Sequence, residues 1–344
     1  MSVGAAAREP LTGGRGPDPG PGRSPVGIEL HTHLEGSVTP ARLVELARRH
    51  GRPGLPASCL DATGGRFVFD GFHGFLELYK RVTSVMRTPR DFHELALDLA
   101  AQLRRDGVRY AEVAVSYGVL LVRGIDPGPV QAALADAAAQ AREAVGVTMN
   151  WLPDVVRQFG LDAAWPAWEA AARAGRAQGV VGFGLGGDET SGPAADFAPL
   201  FAEVRREGLG VSIHAGEVAA MGAAGRDSIR QALDACGAAR LGHGLAAAGD
   251  PELLAELARR RVCVELCPRS NVATGALARL ADHPLRAFLD AGVPCCLNTD
   301  DRTLFGLDLA GEYAAARSEL GLMPADEARL GRDAATAAFG PVPD

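Results

Sequence analysis

Lysine is nearly missing from this chain: 34 of its 35 basic residues are arginine, and Lys80 is the exception. Schiff-base chemistry, or a carboxylated lysine bridging two metal ions, would have to use that one residue. Thiolate frameworks are missing too. Six cysteines in 344 residues do not make a disulfide scaffold, and no CxxC pair suggests a thiolate zinc site. No apolar run reaches the ~18 residues of a membrane-span candidate. A net charge of −7 gives no electrostatic reason to expect binding to nucleic acid or an anionic membrane. A reduced, cytoplasmic protein is the simplest fit. Residues 1–26 are mostly Gly, Pro, Ala and Arg without an apolar h-region, and read as a disordered tail or a mis-called start rather than a secretory signal.

What is present is enough apolar material for a large core, 47% of residues. From Gly27 on, short apolar runs alternate with longer amphipathic ones. The short runs are "GIELHTH", "VRYAEVAVS", "VTMNWLPDVV", "VVGFGLGG", "VSIHAGE", "ARLGHGL", "VCVELCP" and "VPCCLNTD". Their length and their Val and Ile content suit buried parallel strands. Gly107, Gly146, Gly179 and Gly292 fall where helix C-caps are wanted before the next strand. Eight strand–helix units predict an α/β fold, a closed (β/α)8 TIM barrel over residues 27–344 as one domain. The first unit is swollen, so residues 51–107 read as a helical insertion after strand one.

A barrel places its chemistry at the C-terminal ends of its strands, and the polar residues cluster there. His31 and His33 end strand one, His214 and Glu217 strand five, His243 strand six, Asp300 and Asp301 strand eight. Residues i and i+2 of a strand share a face, so His31 and His33 both point inward. With His214 and Asp300 they make three imidazoles and one carboxylate, a set that suits zinc and also iron or cobalt. Strand four carries no lysine to bridge a second ion, which favours one metal. His50, His73, His93 and His283 read as surface or packing residues.

A single zinc makes hydroxide at neutral pH. Glu217, three residues past His214, can donate a proton to the electrophile, and His243 can take or orient the water proton. Asp301 points away from its neighbour Asp300, toward substrate, and Gly187 lets a substrate approach the backbone closely. These groups suit adding water across a C=N bond and expelling an amine.

The motifs "ELHTHLEG", "HAGE", "RLGHG", "CPRSN" and "NTDD" stand in the order found in the adenosine deaminase family of metal-dependent amidohydrolase barrels, which the chain resembles over roughly residues 27–340. The resemblance implies one Zn2+ held by His31, His33, His214 and Asp300. It implies Glu217 protonating purine N1, His243 stabilising the attacking hydroxide, Asp301 bonding N7 and the Gly187 amide near N3. It implies that the insertion is a lid in which Phe72, Phe75, Leu76 and Tyr79 gate an apolar pocket. The substrate so implied is a small-molecule purine nucleoside, adenosine or 2′-deoxyadenosine, converted to its inosine analogue and ammonia.

Several positions depart from the family's adenosine-specific pattern. Glu35, at the residue that meets the ribose 5′-hydroxyl, and Gly184 both stand where Asp is usual, and Arg302 stands where Pro commonly follows "TDD". Members acting on free adenine tend to read "GLDSSE" where this chain has "GLGGDE". Another group deaminates aminodeoxyfutalosine, an adenine nucleoside with a carboxyphenyl extension, on the route to menaquinone. "GFGLGG" resembles that group, and Arg157 reads either as a partner for its carboxylate or as a helix-start or surface arginine. Two rival classes are a hydrolase of cyclic amides or esters, disfavoured by the absent strand-four lysine, and a non-catalytic binding protein, disfavoured by the complete set of ligands and acid.

Overall fold

The computed structural model describes residues 27–217 and 221–343, apart from the side chains at 72 and 73. Eight strands form one sheet: β1 (Ile28–His33), β2 (Tyr110–Ser116), β3 (Thr148–Val156), β4 (Gly182–Gly186), β5 (Gly210–Ala215), β6 (Arg240–His243), β7 (Cys263–Leu266) and β8 (Cys295–Leu297). They run in sequence order and pair in parallel throughout. A parallel bridge between Thr32 and Asp300 returns β8 to β1 and closes the ring. The expected (β/α)8 barrel is therefore the fold, and each predicted run contains one strand. The tail reading of residues 1–26 lies outside the described residues.

The strands form where apolar, β-branched runs are long enough to be buried on both faces. The helices between them are set by local signals. Helix α3 (Pro89–Arg105) starts with proline at its first position and a capping box in which Thr88 and Asp91 satisfy each other's backbone amides. Gly146 ends the helix Pro127–Val145 at φ 68°, a left-handed cap that glycine adopts without steric penalty.

The swollen first unit resolves into α1 (Pro40–Arg49), α2 (Gly71–Val85) and α3. Helix α3 packs along the helix Pro127–Val145 and so belongs to the outer ring. The added material is thus α1 and α2 with their connections, not all of residues 51–107. Helix α2 rests on α1 and on the 3-10 turn Glu35–Ser37 that follows β1, which sets it beside the catalytic end of the barrel. All six cysteines are free, and five are buried. Among the described residues no helix is long and apolar enough to cross a membrane.

Candidate functional site

His31, His33, His214 and Asp300 converge at the C-terminal end of the barrel, each with a ligand atom within 4.8 Å of the others. The His31 and His214 rings are 4.6 Å apart, centroid to centroid. Asp300 Oδ1 stands 3.3 Å from His33 Nε2 and 3.6 Å from His31 Nε2, while its Oδ2 accepts a 2.5 Å hydrogen bond from the Ser270 hydroxyl. On the far side of its ring, His31 Nδ1 donates to Glu265 Oε2 at 2.7 Å. That bond leaves the His31 Nε2 lone pair facing the cluster, where the atom is buried with no hydrogen-bond partner. An orphaned imidazole nitrogen beside two more imidazoles and a carboxylate fits a cation of the zinc type.

The electrostatics agree with a site built for positive charge. Burial disfavours protonated His31, yet the Asp300 and Glu265 carboxylates outweigh it and lift the ring to about 10. Burial and the surrounding imidazoles hold His214 well below its ordinary range. The backbone is strained here as well: His243 and Asp300 adopt φ of 65° and 63°, a left-handed conformation that costs non-glycine residues about 1–3 kcal/mol.

Glu217 follows β5 in a turn fixed by Glu189, whose carboxylate accepts from the Gly216 and Glu217 amides at 2.8 and 2.7 Å. Burial and the neighbouring Asp300 and Glu189 push the Glu217 carboxyl up to about 8, so at neutral pH it holds a proton to donate. His243 Nε2 lies 3.9 Å from Glu217 Oε1, and its Nδ1 contacts the Asn271 amide at 3.1 Å. Burial drives His243 down to about 3, so the ring is neutral. Asp301 Oδ1 is buried without a partner, and burial together with Asp300 lifts its carboxyl to about 8. The last glycine of the opening motif has a steric cause: a Cβ on Gly36 would lie 2.0 Å from Asp301 Oδ1.

A cavity of about 370 Å³ rises over these groups. His33, His214, Glu217, His243, Asp300 and Asp301 line it, as do Phe75, Leu76 and Tyr79 of α2. Gly187 also lines it, at φ 93°, so close to the Gln158 carboxamide that a Cβ would fall 2.2 Å from its oxygen. The Phe72 reading falls outside the described side chains.

Glu35 is buried; its Oε1 accepts from the Ser116 amide at 3.0 Å and its Oε2 has no partner. Ser116 lines the cavity, and Glu35 is set back from it. Arg157 does not line the cavity. Its guanidinium turns away from the cavity and donates to the Gly192 carbonyl at 3.0 Å and to the His214 carbonyl. At 2% exposure it braces the ligand strand and is not free to meet a substrate carboxylate. His50 and His93 pair with Asp91 and Asp136, and His283 is buried, as packing residues are.

Two features were not anticipated. Asp154 on β3 lines the cavity, with Oδ2 4.0 Å from His33 Nδ1. It stands opposite Gly184 of β4, where a Cβ would come within 3.1 Å of the Asp154 Cβ. Its signal is a lone acid inside the apolar run "NWLPDVV", an expensive residue to bury. Arg302 is also explained. It is 1% exposed and bridges Glu29 of β1, at 3.4 Å, to Asp106 at the end of α3. Glu29 in turn accepts from the Thr299 amide at 2.9 Å. This buried network anchors the loop that carries Asp300 and Asp301.

Comparison with known proteins gives one consistent picture. A family model described as adenosine deaminase matches residues 27–344. An aminodeoxyfutalosine deaminase from Streptomyces coelicolor is 38% identical over 316 residues, covering 90% of this chain and 79% of its own. An adenine deaminase from Rhizobium leguminosarum bv. trifolii is 36% identical over 314 residues, covering 91% and 94%. The crystal structure of an adenine deaminase from Arthrobacter aurescens is similar with a TM-score of 0.80 at 27% identity, covering 91% and 93%.

Proposed function

Because the chain belongs to the adenosine deaminase family, metal-dependent hydrolases of amidine-type C–N bonds, we propose that it deaminates an adenine nucleoside with a large 9-substituent, of the aminodeoxyfutalosine kind. The observation that carries this is the cavity. It continues past the deamination groups to Ser116, Val119, Val156 and Phe159, and its ~370 Å³ suits an extended ligand. Three relatives, 37–38% identical, are named aminodeoxyfutalosine deaminase. Adenosine, expected from the family pattern, is the less supported substrate. Free adenine is the second reading, favoured by the relatives named adenine deaminase.

His31, His33, His214 and Asp300 would hold one Zn2+, which would supply the acidity that makes water a nucleophile at neutral pH. Glu217 gives its proton to N1 of the purine, which makes C6 electrophilic. Neutral His243 accepts and orients the proton of the incoming water. Asp301, protonated by the push from Asp300, donates to N7, and the Gly187 amide faces N3. Asp154 accepts hydroxyl protons from the substituent, and Glu35 supports that end of the site from behind through the Ser116 amide. Helix α2 serves as a lid, with Phe75, Leu76 and Tyr79 excluding water. The reaction occupies one domain, residues 27–344, in a reducing compartment that suits the free cysteines.

The test is ammonia release by zinc-loaded protein from aminodeoxyfutalosine, adenosine, 2′-deoxyadenosine and adenine in parallel. We expect aminodeoxyfutalosine to lead in kcat/KM by roughly a hundredfold, ~2.7 kcal/mol of transition-state binding. Equal or better turnover of adenosine or adenine overturns the large-substituent reading.

A further inference from the structure

We propose that Arg240 is a positioning residue for the metal ligand His31, and that Phe339 and Gly340 hold Arg240 in place from the opposite end of the barrel. The inference rests on His31 being a ligand, as argued above.

The path is a continuous line of buried contacts. Glu265 of β7, 1% exposed, takes the His31 Nδ1 proton on one oxygen. Its other oxygen stands 2.6 Å from Arg240 Nε, at the first position of β6, a contact of opposite charges without hydrogen-bond alignment. Arg240 Nη1 reaches Glu112 Oε2 of β2 at 2.5 Å. Glu112 Oε1 then accepts from the Tyr110 hydroxyl at 2.5 Å and from the backbone amides of Phe339 and Gly340 at 2.7 and 2.9 Å. The Phe339 ring covers the guanidinium, with Arg240 Cζ 3.8 Å from its centroid.

The seat for this segment is built into the strands. A Cβ on Gly210 would lie 2.2 Å from Phe339 Cγ, and one on Gly182 would lie 2.7 Å from its Cδ2. The bare first residues of β4 and β5 thus make room for the ring. Gly340 is confined in the same way, its Cβ position being 2.7 Å from both Tyr110 Oη and Asn150 Nδ2. Close above, Gly242 leaves the space that the His31 ring fills, since a Cβ there would lie 2.8 Å from His31 Cε1.

Two buried carboxylates share one guanidinium in this path, and removing one partner from a buried set of charges is strongly unfavourable. Removing the Phe339 ring admits water to Arg240, and losing the two amides leaves Glu112 to compete harder for it. Either change weakens the hold of Arg240 on Glu265. Glu265 is then freer to leave His31 Nδ1, and the ring is no longer fixed with Nε2 toward the other ligands. Partners beyond the ligands typically change metal affinity about 10–100-fold.

The experiment is a zinc-affinity measurement on the full chain, by competition with a chromophoric chelator. His31→Ala, Glu265→Gln, Phe339→Ala and Phe339→Tyr are compared with the unmodified protein, and folding of each metal-free variant is checked by circular dichroism and melting. Visible absorption of the cobalt-loaded proteins reports ligand geometry. We expect Glu265→Gln to weaken zinc about 10–100-fold, Phe339→Ala to weaken it by about 10-fold with an altered cobalt spectrum, and Phe339→Tyr to retain both. If His31→Ala leaves zinc affinity unchanged, the ligand assignment itself fails. If His31→Ala abolishes binding while folded Phe339→Ala binds zinc as before, the relay is wrong. Should Phe339→Ala not fold, Phe339→Leu, which keeps bulk without the aromatic face, decides by the same readouts.

Discussion

Glu217 Oε1 and His243 Nε2 face each other 3.9 Å apart across the floor of the cavity, one protonated and the other neutral at pH 7. Under the proposed mechanism these two groups are the proton donor and the proton acceptor, side by side on the cavity wall. Glu217→Gln keeps the shape and removes the transferable proton. It is expected to retain its zinc and to lose about 10²–10⁴-fold in kcat. Unreduced turnover in a zinc-replete variant removes Glu217 as the acid.

The pH profile follows from the same pair. The working form of Glu217 is protonated, so activity is present below its raised value of about 8 and declines as pH rises through it. An unshifted carboxyl would place that limb near ~4.3. Burial sets His243 at about 3, so its protonation adds no loss between pH 5 and 7. A pH series of kcat/KM on the free enzyme checks this; activity still climbing above pH 9 contradicts it.

Asp154→Asn should leave zinc content unchanged. It should raise KM for nucleosides bearing hydroxyls, by about 1–3 kcal/mol of binding, with little effect on adenine. A variant that loses zinc instead would make Asp154 a support for His33, whose Nδ1 is 4.0 Å away.

Arg302→Ala leaves Glu29 and Asp106 without their shared cation. Breaking a buried pair in this way costs about 3–5 kcal/mol, readable as a lower midpoint in urea. A loss under 1 kcal/mol would show that water already screens the pair.

The fold was legible because its signal is local. Runs such as "VRYAEVAVS" and "VCVELCP" declare buried strands, and their number and spacing leave a closed barrel as the simplest arrangement. The ligand positions were legible for a related reason: barrel chemistry gathers at strand ends, and His31 and His33 share a face by alternation. What escaped depends on which strand lies beside which. Glu265 of β7 meets His31 of β1 although the two strands are not neighbours, and Arg240 joins Glu265 to Glu112 across strands far apart in sequence. Each stands as a single charge in an apolar run, a cue that marks a buried partner without naming it. The direction of Arg157 was not legible because the residue just past a strand can turn either way, and here it meets the His214 carbonyl.

The most direct test of the account is ammonia release from aminodeoxyfutalosine by the protein carrying one zinc per chain, compared with the same protein stripped of metal and then reloaded. The account predicts turnover that disappears with the metal and returns with it. No ammonia from the zinc-replete protein, or undiminished release after stripping, would contradict it.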